Sequence, residues 1–201
     1  MPDVPRWRAA VTGRGREHEP LRDALVQLER RLADDMQQRW NRDLPLTELL
    51  VDRWERARRL GFDAGASVYD LSCVYGDVAV GRNTWIGPFT ILDGTGGLSI
   101  GSNCSISSGV QIYTHDSVAW ALSGGTAEYE YSPVRIGNSC YIGPNTLITR
   151  GVEVGDHCVV GAASLVNRDL PPFTVAFGTP CRAVGRVELS SDGKPTIVID
   201  E

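Results

Sequence analysis

The sequence predicts an all-β fold, a triangular coil of short strands stacked rung upon rung, on three observations. Between Ile136 and Leu165, β-branched aliphatic residues recur at every sixth position: Ile136, Ile142, Ile148, Val154 and Val160. Glycine follows them at 137, 143, 155 and 161. The residue four on is small: Cys140, Thr146, Val152, Cys158 and Ser164. A period of six is neither the 3.6 of a helix nor the 2 of an ordinary strand. It marks units that cannot bury their own apolar residue and must stack on their neighbours. A short strand and a sharp turn, repeated three times, close a coil of about eighteen residues. The aliphatic residue points into the narrow prism, and the small one fits its crowded interior. The glycine allows either a positive φ or the close approach of another backbone.

In chain order, residues 1–16 are polar, Arg-rich and aperiodic, and read as a loose arm. Residues 17–61 read as a helical appendage. Pro20 suits a first helical turn, and Leu21, Leu25, Leu28 and Leu32 share one face. After Leu44-Pro45-Leu46, a second helix is expected from Thr47 as N-cap to Gly61 as stop. These helices are expected to cap the end of the prism and shield its open edge.

The coil domain is placed at 62–186. Val68, Val74, Val80 and Ile86 keep the six-residue spacing. Register slips over the glycine-rich stretch 91–97, which predicts a distorted or lengthened turn around Asp93. Ile100, Ile106 and Ile112 resume the period. From Tyr113 to Pro133 it is absent, so about twenty-one residues leave the prism at a corner and return. A long loop in a compact repeat is usually functional. Beyond Val166, two prolines force an extended turn, and 173–177 can form a last strand. Residues 187–201 carry Ser190-Ser191-Asp192-Gly193 between alternating apolar runs, which signals a β-hairpin.

Composition narrows the function. The chain has 201 residues, a net charge of −5 and 42% apolar residues, which fits one domain with an appendage. It lacks the basic footprint of a nucleic-acid binder. No run approaches the roughly twenty apolar residues of a membrane span. The first seventeen residues contain no apolar signal core, so a cytoplasmic location is expected. Cysteines number five, and Cys104, Cys140 and Cys158 occupy the small inward position. They read as buried, reduced thiols.

The excursion at 113–133 offers one candidate for chemistry, His115. An imidazole can accept a proton near neutral pH. Asp116 and Glu130 are available to orient it or to bind an acceptor. Trp120 and Tyr129 can stack a sugar ring or a nucleotide base.

Four features together resemble a known family: the hexads, Thr114-His115-Asp116, the run 132–143 (SPVRIGNSCYIG) and the ending 160–186 (VGAASLVNRDLPPFTVAFGTPCRAVGR). The chain from about 68 to 186 resembles the hexapeptide acyltransferases, which are left-handed parallel β-helices. Within them it is most similar to the galactoside, maltose and nodulation-type sugar O-acetyltransferases. The resemblance implies a homotrimer with active sites between subunits, and acetyl-CoA as acyl donor. It implies His115 as general base on the hydroxyl of a sugar or glycan precursor. Such a base is worth on the order of 10²- to 10⁴-fold.

Residue by residue, the resemblance implies that Asp93 presents a carboxylate to the acceptor. It implies that Tyr141 is the aromatic beside the base. Asp116, Trp120 and Glu130, read from the excursion itself, are further candidates for the acceptor site. Ala162 and Ala163 let the pantetheine arm approach. Asn167 and Arg168 meet the coenzyme near its phosphates, and Arg182 lies near its nucleotide. No metal is implied. Pro144 departs from the family, because the backbone N–H expected there to face the thioester oxygen is missing. The Gly143 amide is the alternative donor. Arg168 stands where the family has lysine, which keeps the charge and alters its geometry.

Other readings compete. One is an N-acyltransferase acting on a nucleotide-linked amino sugar, which need not use a loop histidine. A second is a non-catalytic scaffold. A metal-dependent carbonic anhydrase needs three converging histidines, and His18, His115 and His157 do not supply them.

Overall fold

The structure, a computed structural model, describes residues 19–200. The arm expected at 1–16 and His18 lie outside the described residues. The described residues divide into two compact units, with the boundary between Leu50 and Val51.

In the first unit, helix α1 (Glu19–Trp40) and the short helix α2 (Leu46–Leu50) are joined through Pro45. Leu21 and Leu25 are exposed on α1, and Leu28 and Leu32 are half-buried. The expected second helix is broken. Thr47 lies inside α2, and a separate helix α3 (Arg53–Arg59) belongs to the second unit. Asp52 caps α3, its carboxylate accepting from the amides of Trp54 and Glu55 at 2.9 and 2.8 Å. That cap satisfies amides left free at the helix start, which explains why the chain restarts there. Gly61, at φ +77°, ends the segment as expected. Helix α3 closes the prism: Arg56 Nη2 donates to Ser72 O at 2.7 Å, and Arg53 Nη1 donates to Tyr69 Oη at 2.9 Å.

The second unit is a parallel β-solenoid with three faces. On the first, Ser67–Val68, Trp85–Ile86, Ser105–Ile106, Tyr141–Ile142, Val159–Val160 and Thr174–Phe177 pair in that order, all parallel. The second stacks residues 73–74, 91–92, 111–112, 147–148 and 165–166. The third stacks 78–80, 98–100, 134–136 and 153–154, and Leu170 adds a bridge. Register holds the aliphatic column in line, Ile106 on Ile142 on Val160, each with no exposed surface. Burying each such side chain stabilises by about 1.5–3 kcal/mol.

The turn chemistry is divided between two positions of the hexad. Gly143 does not have a positive φ; a Cβ there would meet the Ala162 nitrogen at 2.6 Å. Its role is close approach of the next coil. The positive φ falls two residues later, as at Asn83, Asn103 and Asn145, with φ 56–58°. Pro144 and Asn145 form the centre of a tight turn closed by Thr146 N donating to Gly143 O at 3.3 Å. Proline followed by a residue of positive φ is the type II pattern. Pro144 therefore serves the corner.

The register slip is not a turn. Ile91–Ile100 is one ten-residue strand, paired in parallel with Cys73–Val80 around an irregularity at Gly76/Val78. Gly76 pairs Gly94 and Val78 pairs Leu98, so the longer strand absorbs two extra residues. Asp93 consequently sits on a strand, 2% exposed. At the C-terminus, Arg182–Leu189 runs antiparallel to Thr174–Phe177 and then to Pro195–Ile199. The hairpin is as expected, with its first strand starting earlier, at Arg182.

Candidate active site

The excursion leaves after Gln111–Ile112 on the second face and returns at Val134–Ile136 on the third. It is organised. His115–Asp116 pairs antiparallel with Glu130–Tyr131, and a one-turn helix α4 (Val118–Leu122) lies between. The foot is pinned by Ser132 N donating to Thr114 O at 2.9 Å and Gly96 N donating to Thr114 Oγ1 at 2.8 Å. The two residues inserted near Gly96 in the coil below thus form a seat for the excursion.

Asp93 is the centre of this seat. Its Oδ2 lies 2.6 Å from His115 Nδ1 and accepts from the Thr114 amide at 3.0 Å. Its Oδ1 accepts from Thr95 Oγ1 at 2.7 Å and from the Thr95 amide at 3.0 Å. Burial opposes ionisation of this carboxyl. The hydrogen bonds from Thr95, Thr114 and His115 outweigh it and hold the pKa at about 2. An ionised Asp93 accepts the Nδ1 proton of His115, which leaves Nε2 as the ring's free nitrogen. Asp93, expected to face an acceptor, instead directs both oxygens at Thr95, Thr114 and the imidazole.

The imidazole is partly exposed and ringed by aromatics. Tyr129 lies parallel to it with centroids 6.0 Å apart, and Tyr131 is at 5.9 Å, tilted by 33°. Trp120 and Tyr129 meet in a T-shaped arrangement with centroids 5.9 Å apart. Trp120, Tyr129 and Tyr131 all keep exposed surface. Asp116 and Glu130 do not orient the imidazole. Both carboxylates bind the Arg150 guanidinium, Asp116 at Nε and Glu130 at Nη2. Arg150 and, to a smaller extent, the Val118 amide hold the Asp116 carboxyl below its ordinary range.

Within one chain, Tyr141 and His115 lie apart. Tyr141 lies exposed on the first face, whereas His115 grows from the corner after the second. Gly143, Ala162 and Ala163 form the corner after the first face, where Ala163 N donates to Pro144 O at 2.8 Å. Gly143, offered as an alternative oxyanion donor, has its amide committed to Val160 O at 2.8 Å. Asn167 and Arg168 are exposed at the corner after the second face, one coil beyond Arg150. Arg168 has no carboxylate partner among the described residues. Arg182 is exposed, with Nη1 donating to Cys181 O at 2.8 Å. Two exposed cations and a corner of small residues fit a long, phosphate-bearing ligand. Among the described residues, no group of three or more His, Cys, Asp or Glu side chains could hold a metal ion. No helix there is long and apolar enough to cross a membrane.

Sequence reasoning did not find Thr95, Thr114, Tyr131 or Arg150. A signal existed for Arg150. If the period resumes in step after the loop, Ile148 stacks on Ile112, and the residues after Ile148 lie over the start of the excursion.

Residues 133–168 match the family described as bacterial transferase hexapeptide (six repeats). The solved maltose O-acetyltransferase from Clostridium difficile 630 is 30% identical, with a TM-score of 0.56, over 82% of this chain and 89% of that one. The chain belongs to the hexapeptide-repeat transferases. This hexapeptide-repeat protein is also similar to a galactoside acetyltransferase solved in complex with coenzyme A. There the identity is 25% and the TM-score 0.57, over 92% of each chain. It is 30% identical over 128 residues to the galactoside O-acetyltransferase of Escherichia coli (strain K12), across 54% of this chain and 63% of that protein. The chain spans about half to two-thirds of the length of the first curated relatives it matches.

Proposed function

We propose that this hexapeptide-repeat transferase is an acyl-CoA-dependent O-acetyltransferase, moving acetyl from acetyl-CoA to a sugar or glycan-precursor hydroxyl. The observation that carries the reading is the 2.6 Å contact between His115 Nδ1 and a buried, ionised Asp93. It fixes the tautomer and leaves Nε2 as a base beside an aromatic surface. The acceptor hydroxyl loses its proton to Nε2 as its oxygen bonds to the thioester carbonyl carbon. The carbon–sulfur bond then breaks, and the coenzyme thiolate takes the proton back from the imidazolium. Proton removal during attack is worth on the order of 10²- to 10⁴-fold, and holding the two substrates together supplies much of the remainder.

Acetyl-CoA as donor is supported by relatives solved with that coenzyme, one of them an acetyltransferase from Vibrio cholerae complexed with acetyl-CoA, 26% identical with a TM-score of 0.51. In this chain Ala162 and Ala163 would flank the pantetheine arm, with Arg168 and Arg182 toward the phosphates. Within one chain, His115 and the small-residue corner occupy different edges of the prism. A homotrimer with sites between subunits brings edges of two chains together. Rings of Trp120, Tyr129 and Tyr131 suit the apolar face of a pyranose. A loop histidine favours transfer to a hydroxyl over transfer to a nucleotide-linked amino sugar, because an amine can attack without a base.

The test is release of coenzyme A from acetyl-CoA by the full chain, with a panel of neutral glycosides, for wild type and His115→Ala. Acceptor-dependent release, reduced at least about 100-fold in the variant, is expected. Equal rates in the two proteins would refute the role of His115.

A further inference from the structure

Resting on that reading, we infer that Arg150 is a positioning residue for His115: it clamps the two-stranded ribbon that carries the imidazole to the coil stacked above it.

The ribbon needs such a clamp. It has two residue pairs, His115 with Tyr131 and Asp116 with Glu130. A two-stranded ribbon is at best marginally stable by itself. This one also sets two carboxylates directly opposite each other, an arrangement that destabilises a strand pair. Asp116 and Glu130 repel unless a cation lies between them.

Arg150 supplies that cation from a different coil. Ile148 stacks on Ile112, so the corner that begins at Thr149 lies over the point where the excursion departs. Its guanidinium gives Nε to Asp116 Oδ2 and Nη2 to Glu130 Oε2, one donor to each strand. A planar fork can hold two carboxylates at fixed separation, which a lysine ammonium holds less well. The neighbouring Gly151, at φ +77°, adds a backbone tie, its amide donating to Ser132 O at 3.3 Å. The Asp116 and Arg150 charges are mutually stabilised, Asp116 shifted down and Arg150 up, each chiefly by their shared hydrogen bond.

The direction of the clamp matters for the imidazole. Adjacent residues of a strand project to opposite faces. Asp93, from the coil below, holds His115 on one face. Arg150, from the coil above, holds Asp116 on the other. The ribbon is thus fixed from two coils and from both sides. Asp116 and Glu130 are both engaged by this device, one oxygen of each on the guanidinium.

The experiment uses the full chain with Arg150→Met, Arg150→Lys and the triple variant Arg150→Met/Asp116→Asn/Glu130→Gln. Amide hydrogen exchange over 113–133 reads the ribbon without any assay of activity. Acceptor-dependent turnover of acetyl-CoA reads His115. In Arg150→Met, exchange in the ribbon should quicken about tenfold or more while residues 136–166 stay protected. The kcat should drop about 10- to 100-fold, with KM for acetyl-CoA changed less than about twofold. Arg150→Lys should recover part of both. The triple variant should recover part as well, because the repulsion is gone. Unchanged exchange in Arg150→Met would overturn the inference. So would a rise in KM for acetyl-CoA that the triple variant leaves in place, which would make Arg150 a ligand contact. If the wild type transfers no acetyl group, the proposed function fails and His115 has no reaction to be positioned for. The exchange arm then still shows whether Arg150 clamps the ribbon.

Discussion

Asp93 Oδ2 lies 2.6 Å from His115 Nδ1, although twenty-one residues separate the two along the chain. Asp93 belongs to the coil below and His115 to the excursion. Replacing Asp93 by Asn keeps the shape but removes the charge and turns one of two acceptor oxygens into an NH2 donor, so the Nδ1–H tautomer is no longer selected. The expected result is a fall in kcat of about 10²- to 10⁴-fold, with KM for acetyl-CoA little changed. Steady-state kinetics on a shared acceptor check it.

The same carboxylate makes stability depend on pH. Its folded pKa, about 2, lies below the ordinary 3.8, so the stabilisation is fully present above about pH 4. It is lost as pH falls through the folded value, between about pH 4 and 2. The amount is about 2 kcal/mol. Urea titrations between pH 5 and 2 should show a steep loss in the wild type and a shallower one in Asp93→Asn. Parallel profiles would show that the hydrogen bonds of Thr95 and Thr114 do not favour the ionised form.

Gly143→Ala tests the close approach of coils. The added Cβ would meet the Ala162 nitrogen at 2.6 Å and the Gly161 carbonyl carbon at 2.7 Å, both backbone atoms. Neither can rotate away. A loss of about 1–3 kcal/mol in denaturant unfolding is expected. Gly193→Ala is the control for open space, since a Cβ there meets nothing within 4 Å, while its φ of +78° still adds strain.

Arg168 is exposed without a carboxylate partner among the described residues. If it meets a coenzyme phosphate, Arg168→Ala should raise KM for acetyl-CoA about 10-fold and leave kcat nearly unchanged. Arg168→Lys should retain most of the affinity. The effect should shrink at high salt, where exposed charges are screened.

Much of the fold was legible in the residues. The six-residue period marks which side chain enters the prism, because stacking forces the same choice on every coil. Ile142, Ile148 and Val154 are buried as their spacing requires. The hairpin around Gly193 and the departure at Tyr113 were legible for similar local reasons. The stretch at Asp93 was not. A break in period looks the same whether the chain turns or lengthens a strand, and only pairing with Cys73–Val80 distinguishes them.

The sequence by itself determined the stacked coil, the corner where the chain leaves it and the histidine that the excursion carries. These follow from periodicity and its interruption, which are properties of neighbours along the chain. Tertiary structure alone decided what each charged side chain meets. Asp93, Asp116, Glu130 and Arg150 come from three segments, and register between coils brings them to one corner. Carboxylates carry no local mark that separates a buried acceptor holding an imidazole from an exposed one facing a substrate. Burial and partners make that difference, and both are set across coils.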